Sequence, residues 1–321
     1  MELSEEQDPA VFFSFGMCYT CFANYFKDVD FYYQAIEHFQ YGLAIDRRLA
    51  SHWNAIGNLY LTIGELTDDL DAYEKAAKFL QRADHLKSAI SYSVDYAIAL
   101  TKLGELTENE NLLQEACSRF EMGLQVQKNA LYVRPDWLFY CAIAHDQLGN
   151  FHEEDTYYLK ALEFFSHVLM VDPDFPHLHH RIGLTFSHFG DLHSDLDHFY
   201  RAIHHFKLAS KHEEEDDALL MDWGVALINI AEHVHDPQEK ELFYREAENK
   251  LALAAKLGNE QVCYHFACLY SLQGLCEQAM KFIEKAHAHR SLPPIENVLD
   301  DEWLDAVRAT PQFHDFFTAF Y

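Results

Sequence analysis

Residues 53–83 read WNAIGNLYLTIGELTDDLDAYEKAAKFLQRA, two apolar stripes separated by an acidic, threonine-containing turn. In the first half Trp53, Gly57, Tyr60 and Gly64 fall at steps of four, three and four, and in the second Ala76, Leu80 and Ala83 fall at steps of four and three. Those steps place each set on one face of an α-helix. A small residue opposite a large one lets two helix backbones approach closely, so the stretch predicts a tightly packed helix pair.

Outward from this seed the same frame recurs along the chain. Upstream it reads Phe12, Gly16, Tyr19, Ala23; downstream it reads Ser93, Ala97, Leu100, Gly104, then Leu138, Ala142, His145, Gly149, and His179, Gly183, Phe186, Gly190. Leu220, Gly224, Leu227, Ala231 and Cys263, Ala267, Tyr270, Gly274 complete the series. The small second positions 16, 57, 97, 142, 183, 224 and 267 lie 40 to 45 residues apart. Each is followed by a small-large-small frame, from Ala35, Phe39, Gly42 to Ala279, Ile283, Ala286. One pair cannot bury its apolar face alone, so neighbouring pairs must stack.

A large-x3-small-x2-aromatic frame followed by Ala-x3-large-x2-Ala resembles the tetratricopeptide repeat over residues 11–290. The resemblance implies an all-α protein: an α-solenoid, a right-handed superhelix of about seven antiparallel helix pairs with a C-terminal cap. It divides the chain into an acidic segment (1–10), repeats at about 11–48, 49–88, 89–130, 134–173, 176–213, 217–257 and 260–290, and a capping segment (291–321). Only the last repeat is compact, with Ala267 and Ala279 twelve residues apart; Gly16 to Ala35 and its equivalents in repeats two to five span 19. The extra length, about two helical turns, belongs to the helices or to their connection. Gly64, Gly104 and Gly190 suit helix C-termini, Thr67 and Thr107 suit caps for the next helix, and Tyr73, Leu112 and Phe199 follow in equivalent places. Pro237 sets a late start for the second helix of repeat six. Near the end, Leu304, Val307, Arg308, Pro311 and Phe313 resemble a short motif that closes certain bacterial tetratricopeptide groups.

The chain of 321 residues carries 52 Asp plus Glu against 24 Lys plus Arg, a formal charge of −28, which repels phosphate backbones and argues against nucleic acid as a partner. Its start has no positive n-region, so export is not expected. Val11 to Phe26 is uncharged but shorter than a membrane span and interrupted by Ser14, Thr20 and Asn24; it reads as a buried first helix. Seven cysteines, among them Cys18, Cys21, Cys141, Cys263 and Cys268 in apolar helical patterns, read as reduced core thiols of a cytoplasmic protein.

No phosphate loop, metalloprotease helix or nucleophile elbow is present, so the reading is non-enzymatic and needs no cofactor. The competing chemistry is histidine. Fourteen of 21 histidines lie between His145 and His235, and imidazole binds zinc, nickel or copper. No recognised ligand pattern accompanies them, so His177, His180 and His188 are only weak metal candidates; the histidine-rich middle repeats as a whole carry the alternative reading of a metal- or pH-responsive regulatory protein. His145, where other repeats have Tyr or Phe, reads as core.

The family resemblance implies that first helices line a concave groove, through positions three before and one after the small residue. Here those positions are Phe13, Met17; Asn54, Asn58; Val94, Ile98; Phe139, Ile143; His180, Leu184; Met221, Val225; and Tyr264, Cys268. The bases of a carboxylate clamp are missing. A largely apolar groove fits a protein client that presents a hydrophobic or basic segment, helical or extended, as to a scaffold, adaptor or chaperone. The alternative is that long helices curl the array until this stripe is internal.

Overall fold

A computed structural model describes residues 8–126, 134–211 and 216–320. Most of the acidic segment 1–10 and the repeat boundaries near 130 and 213 lie outside those residues. The chain divides into two compact units, residues 1–175 and 176–321.

The first unit contains α1 (Pro9–Phe26), α2 (Val29–Ile45), α3 (Ala50–Thr67), α4 (Leu70–Leu86), α5 (Ile90–Leu106), α6 (Glu110–Val126), α7 (Pro135–His152) and α8 (Asp155–Val171), packed as consecutive pairs. In the second, α9 (Leu178–His193) pairs with α10 (Leu196–Ala209), α11 (Asp217–His233) with α12 (Pro237–Lys256), and α13 (Val262–Leu272) with α14 (Cys276–His289). Short helices α15 (Ile295–Asp300), α16 (Asp305–Arg308) and α17 (Pro311–Phe320), with a 3-10 turn at Glu302–Leu304, complete it.

The small-against-large frame is the pair contact. A Cβ built on Gly16 would lie 2.6 Å from the Phe39 ring, on Gly57 2.5 Å from Leu80, on Gly183 2.6 Å from Phe206 and on Gly224 2.9 Å from Leu251. Two turns along the first helix a second contact of the same kind joins Gly64 to Tyr73, Gly104 to Leu113, Gly149 to Tyr158 and Gly190 to Phe199. In repeat three the inserted residue is therefore Leu113, not Leu112.

The extra length of the early repeats is helix. The first five pairs turn over after two or three residues, while α13 has only 11 residues. The glycines and threonines take other roles than expected. Gly64 and Gly104 lie inside their helices, and the hydroxyls of Thr67 and Thr107 donate back to the carbonyls of Ile63 and Leu103. Inside the first five pairs the left-handed turn residues are Lys27, Asp68, Glu108, Glu153 and Ser194, and in the compact repeat Gly274 takes that place; His177, Gly258 and Arg290, which follow second helices, also have positive φ. Five second helices start on carboxylate or amide caps: Asp28, Asp69, Asn109, Asp195 and Asp236 each accept from the backbone N–H two residues on, at 2.9 to 3.1 Å, whereas α8 and α14 start without a side-chain cap.

The two ends of the chain differ. Val298, Leu304, Val307 and Phe313 are buried with Ala267, Met280 and Ile283, so the C-terminal segment covers the last pair. At the other end α1 buries only Gly16 and Ala23, whereas Phe15, Met17, Phe22 and Phe26 are exposed, as are Cys18 and Cys21. The expectation of a buried first helix with core thiols fails there: α1 packs on α2, and no described helix precedes it. Of the other cysteines, Cys141 and Cys268 are buried and Cys263 half-buried.

Gly57→Val tests the pair contact. It should destabilise the protein by about 1–3 kcal/mol through overpacking on Leu80, and Leu80→Ala in the same chain should cost less than the two changes separately, as urea unfolding will measure.

Candidate functional site

The stripe singled out from the first helices is neither uniformly open nor uniformly closed. In the first unit Phe13 of α1 is half-buried, its ring centroid 5.3 Å from Phe39 and 5.0 Å from His52, and Met17 is exposed. On α3, Asn54 and Asn58 are half-buried and both amides donate to Asp95 Oδ2 of α5, at 3.0 and 3.2 Å. Val94 and Ile98 of α5 are buried, the former against Gly123 of α6; so are Phe139 and Ile143 of α7, with Phe139 against Phe165 and Phe175. These four are core residues, because α5 and α7 pack directly on each other as well as on their partners.

The second unit keeps more of the stripe accessible. His180 is buried and its Nε2–H donates to Asp222 Oδ2 of α11 at 2.8 Å, but Leu184 is half-exposed. Met221 and Val225 of α11 are half-exposed. On α13, Tyr264 is half-exposed and donates its hydroxyl to Asp301 Oδ2 at 2.5 Å, whereas Cys268 is buried. Since α9 packs on α11 and α11 on α13, Leu184, Met221, Val225 and Tyr264 belong to first helices that adjoin one another within one unit.

Three carboxylates that spacing did not single out organise this face. Asp95, Asp222 and Asp301 each accept from stripe residues of the preceding helix pair: Asn54 and Asn58, His180, and Tyr264. Asp95 and Asp222 share a register two residues before the small position, where the other repeats carry Ser14, Ala55, Tyr140, Arg181 and His265. An acid at an otherwise variable register was the available signal. Burial pushes the Asp95 carboxyl above its ordinary value, and the Asn54 and Asn58 amides and Arg134, 3.8 Å away, oppose that rise.

Histidines of the middle repeats serve several ends. His145 is buried as expected, and its Nδ1–H donates to the Cys141 carbonyl at 2.8 Å; burial lowers its pKa. His179 and His205 approach nitrogen to nitrogen at 3.0 Å, and burial together with His179 and His204 holds His205 down to about 4. Among the metal candidates, His177 and His180 come together with Asp216, and His188 is not part of that group. Among the described residues no helix is long and apolar enough to cross a membrane.

No family model and no curated protein sequence matches this chain. Solved structures do. A chain of the APC/C hetero-tetramer Cut9–Hcn1 is 14% identical, with 92% of this chain and 52% of that one aligned at a TM-score of 0.57. The human IFIT1 dimer with PPP-AAAA is 17% identical over 91% and 61%, at 0.56. YrrB, a TPR protein with an unusual peptide-binding site, is 14% identical over 68% and 96%, at 0.42. The chain has the tetratricopeptide-repeat fold. At these identities the likeness extends to the fold alone, so the use of this tetratricopeptide-type face has to be argued from its own residues.

Asp95 gives a test with a sign. Asp95→Ala should cost about 1–3 kcal/mol, because the half-buried amides of Asn54 and Asn58 lose their acceptor. Asp95→Asn keeps an acceptor oxygen and should cost less. A carboxyl with a raised folded-state pKa binds its proton more readily folded than unfolded, so ionised Asp95 opposes folding above that pKa and the penalty is relieved as pH falls through it. Urea midpoints from pH 7 to pH 4 should therefore shift in favour of the wild type over Asp95→Asn; a shift in favour of Asp95→Asn would contradict the assignment.

Proposed function

We propose that this chain is a non-enzymatic protein-interaction scaffold, chaperone-like or adaptor-like, that holds a client segment against its first-helix face. The observation that carries the reading is the set of half-exposed side chains Leu184, Met221, Val225 and Tyr264 on three adjoining first helices. In the first unit, Phe13 and Met17, with Asn54 and Asn58, offer a smaller patch. Buried Val94, Ile98, Phe139, Ile143, His180 and Cys268 support the face from beneath and do not meet the client.

The client segment follows from the chemistry of the face. Apolar anchors fit the apolar side of a helix or the alternate side chains of an extended strand. A formal charge of −28 favours basic residues around those anchors and disfavours a nucleic acid. Buried Cys117, Cys141 and Cys268 serve as small core residues, and a reducing, cytoplasmic setting belongs to the same reading.

Met221→Glu with Val225→Glu is the test. Both side chains are half-exposed, so helicity by circular dichroism should be retained while co-purifying proteins captured by the wild type fall at least tenfold in quantitative mass spectrometry. Undiminished capture by a folded double variant would sink the assignment of this face.

A further inference from the structure

Three side chains at the N-terminal ends of α9 and α11 converge in a way that partner binding does not need. His177 caps α9 with a left-handed backbone, φ 58°, which is uncommon for a residue with a side chain. Its Nδ1 lies 3.6 Å from Asp216 Oδ2. One turn into the same helix, His180 Nδ1 lies 3.9 Å from that same oxygen. The three ligand atoms are all within 4.8 Å of one another.

The surroundings are those of a ligand set. Asp216 divides its oxygens, Oδ1 accepting the Leu219 N–H at 2.9 Å as the cap of α11 and Oδ2 facing both imidazoles. His180 is buried, and its Nε2–H is committed to Asp222 Oδ2 at 2.8 Å. In the neutral imidazole that bond puts the proton on Nε2 and leaves the lone pair on Nδ1, the nitrogen directed towards Asp216. A carboxylate behind the far nitrogen of a ligating histidine is the usual outer-shell arrangement of zinc sites.

We propose that His177, His180 and Asp216 form a binding site for a borderline divalent transition-metal ion, of which Zn²⁺ is the type. Metal–ligand bonds of about 2.0–2.2 Å in a tetrahedron place ligand atoms roughly 3.4 Å apart, so the two His–Asp separations need to close by only a few tenths of an ångström. His177 is the exposed member and the one placed to move. Two imidazoles and one carboxylate suit Zn²⁺ better than Ca²⁺ or Mg²⁺, which take oxygen ligands. Three protein ligands leave a fourth position on the solvent side for water. An ion here ties the start of α9 to the start of α11, the two helices that carry Leu184 and Met221. His188 lies eight residues beyond His180, about 12 Å along the helix, and takes no part.

The site stands independently of the client-binding reading and is tested without a client. Full-length protein freed of metal with a chelator is titrated with Zn²⁺ by calorimetry and with Co²⁺ by visible absorption. One saturable equivalent is expected, with the Co²⁺ bands of a tetrahedral site and a raised thermal midpoint. Asp216→Asn retains a capping oxygen for α11, and His177→Gln leaves the helix intact; each should weaken Zn²⁺ at least tenfold with unchanged circular dichroism. Asp222→Asn, behind His180, should weaken it about 10- to 100-fold. His188→Gln should change nothing. The inference is overturned if no stoichiometric site is found. It is equally overturned if Zn²⁺ binds Asp216→Asn and His177→Gln as it binds wild type, or if binding is lost instead on replacing His179 and His205.

Discussion

In the first six helix pairs a glycine on the first helix lies against a large side chain on the second, and the rest of the molecule is arranged around that contact. Phe39, Leu80, Phe120, Phe165, Phe206, Leu251 and Ile283 have almost no exposed surface. Where both contacts of a pair are glycines, seven residues forward on the first helix are matched by seven residues back on the second: Gly57 with Leu80 and Gly64 with Tyr73, Gly183 with Phe206 and Gly190 with Phe199. The antiparallel register of a pair is thus set by two close approaches about two turns apart. A displaced register would bring backbone against side chain, so the constraint acts by exclusion as much as by attraction.

With one side of these first helices occupied by the partner, the adjoining side meets a neighbouring first helix of the same unit, among α3, α5 and α7 in the first and among α9, α11 and α13 in the second, and what stands there decides whether the face is core or surface. Between α5 and α7 the buried Val94, Ile98, Phe139 and Ile143 make that side core. Elsewhere a carboxylate enters it and takes up the polar stripe residues of the preceding pair, as Asp95 does for Asn54 and Asn58 and Asp222 for His180. On α11 and α13 the half-exposed Met221, Val225 and Tyr264 remain. Burying a carboxylate is unfavourable unless it is hydrogen-bonded, and these are; they fix how adjoining pairs meet without adding much to stability.

How much of this was legible depended on whether the signal was periodic. The pair contact repeats every 40 to 45 residues, so small and large positions alone were enough to find it. Caps are single residues. Choosing Asp69 over Thr67 needs the turn geometry, because both are good caps and they stand two residues apart. The apolar run of α1 reported a helix, and nothing in it could report that its outer side has no described neighbour. The Asn54–Asp95 and His180–Asp222 bonds join residues 41 and 42 apart, one repeat away, and Asp216 meets His177 and His180 only because α9 and α11 adjoin. Such contacts follow from stacking and have no local pattern to betray them.

Photo-crosslinking from single positions tests the central claim, that clients bind the first-helix face of the second unit, more directly than any loss of binding. With a photoreactive residue at Met221 or Leu184, irradiation should give discrete protein adducts, while the same residue at Leu242 or Tyr200, exposed on second helices, should give none. Adducts from Leu242 and Tyr200 with none from Met221 or Leu184 would contradict the account.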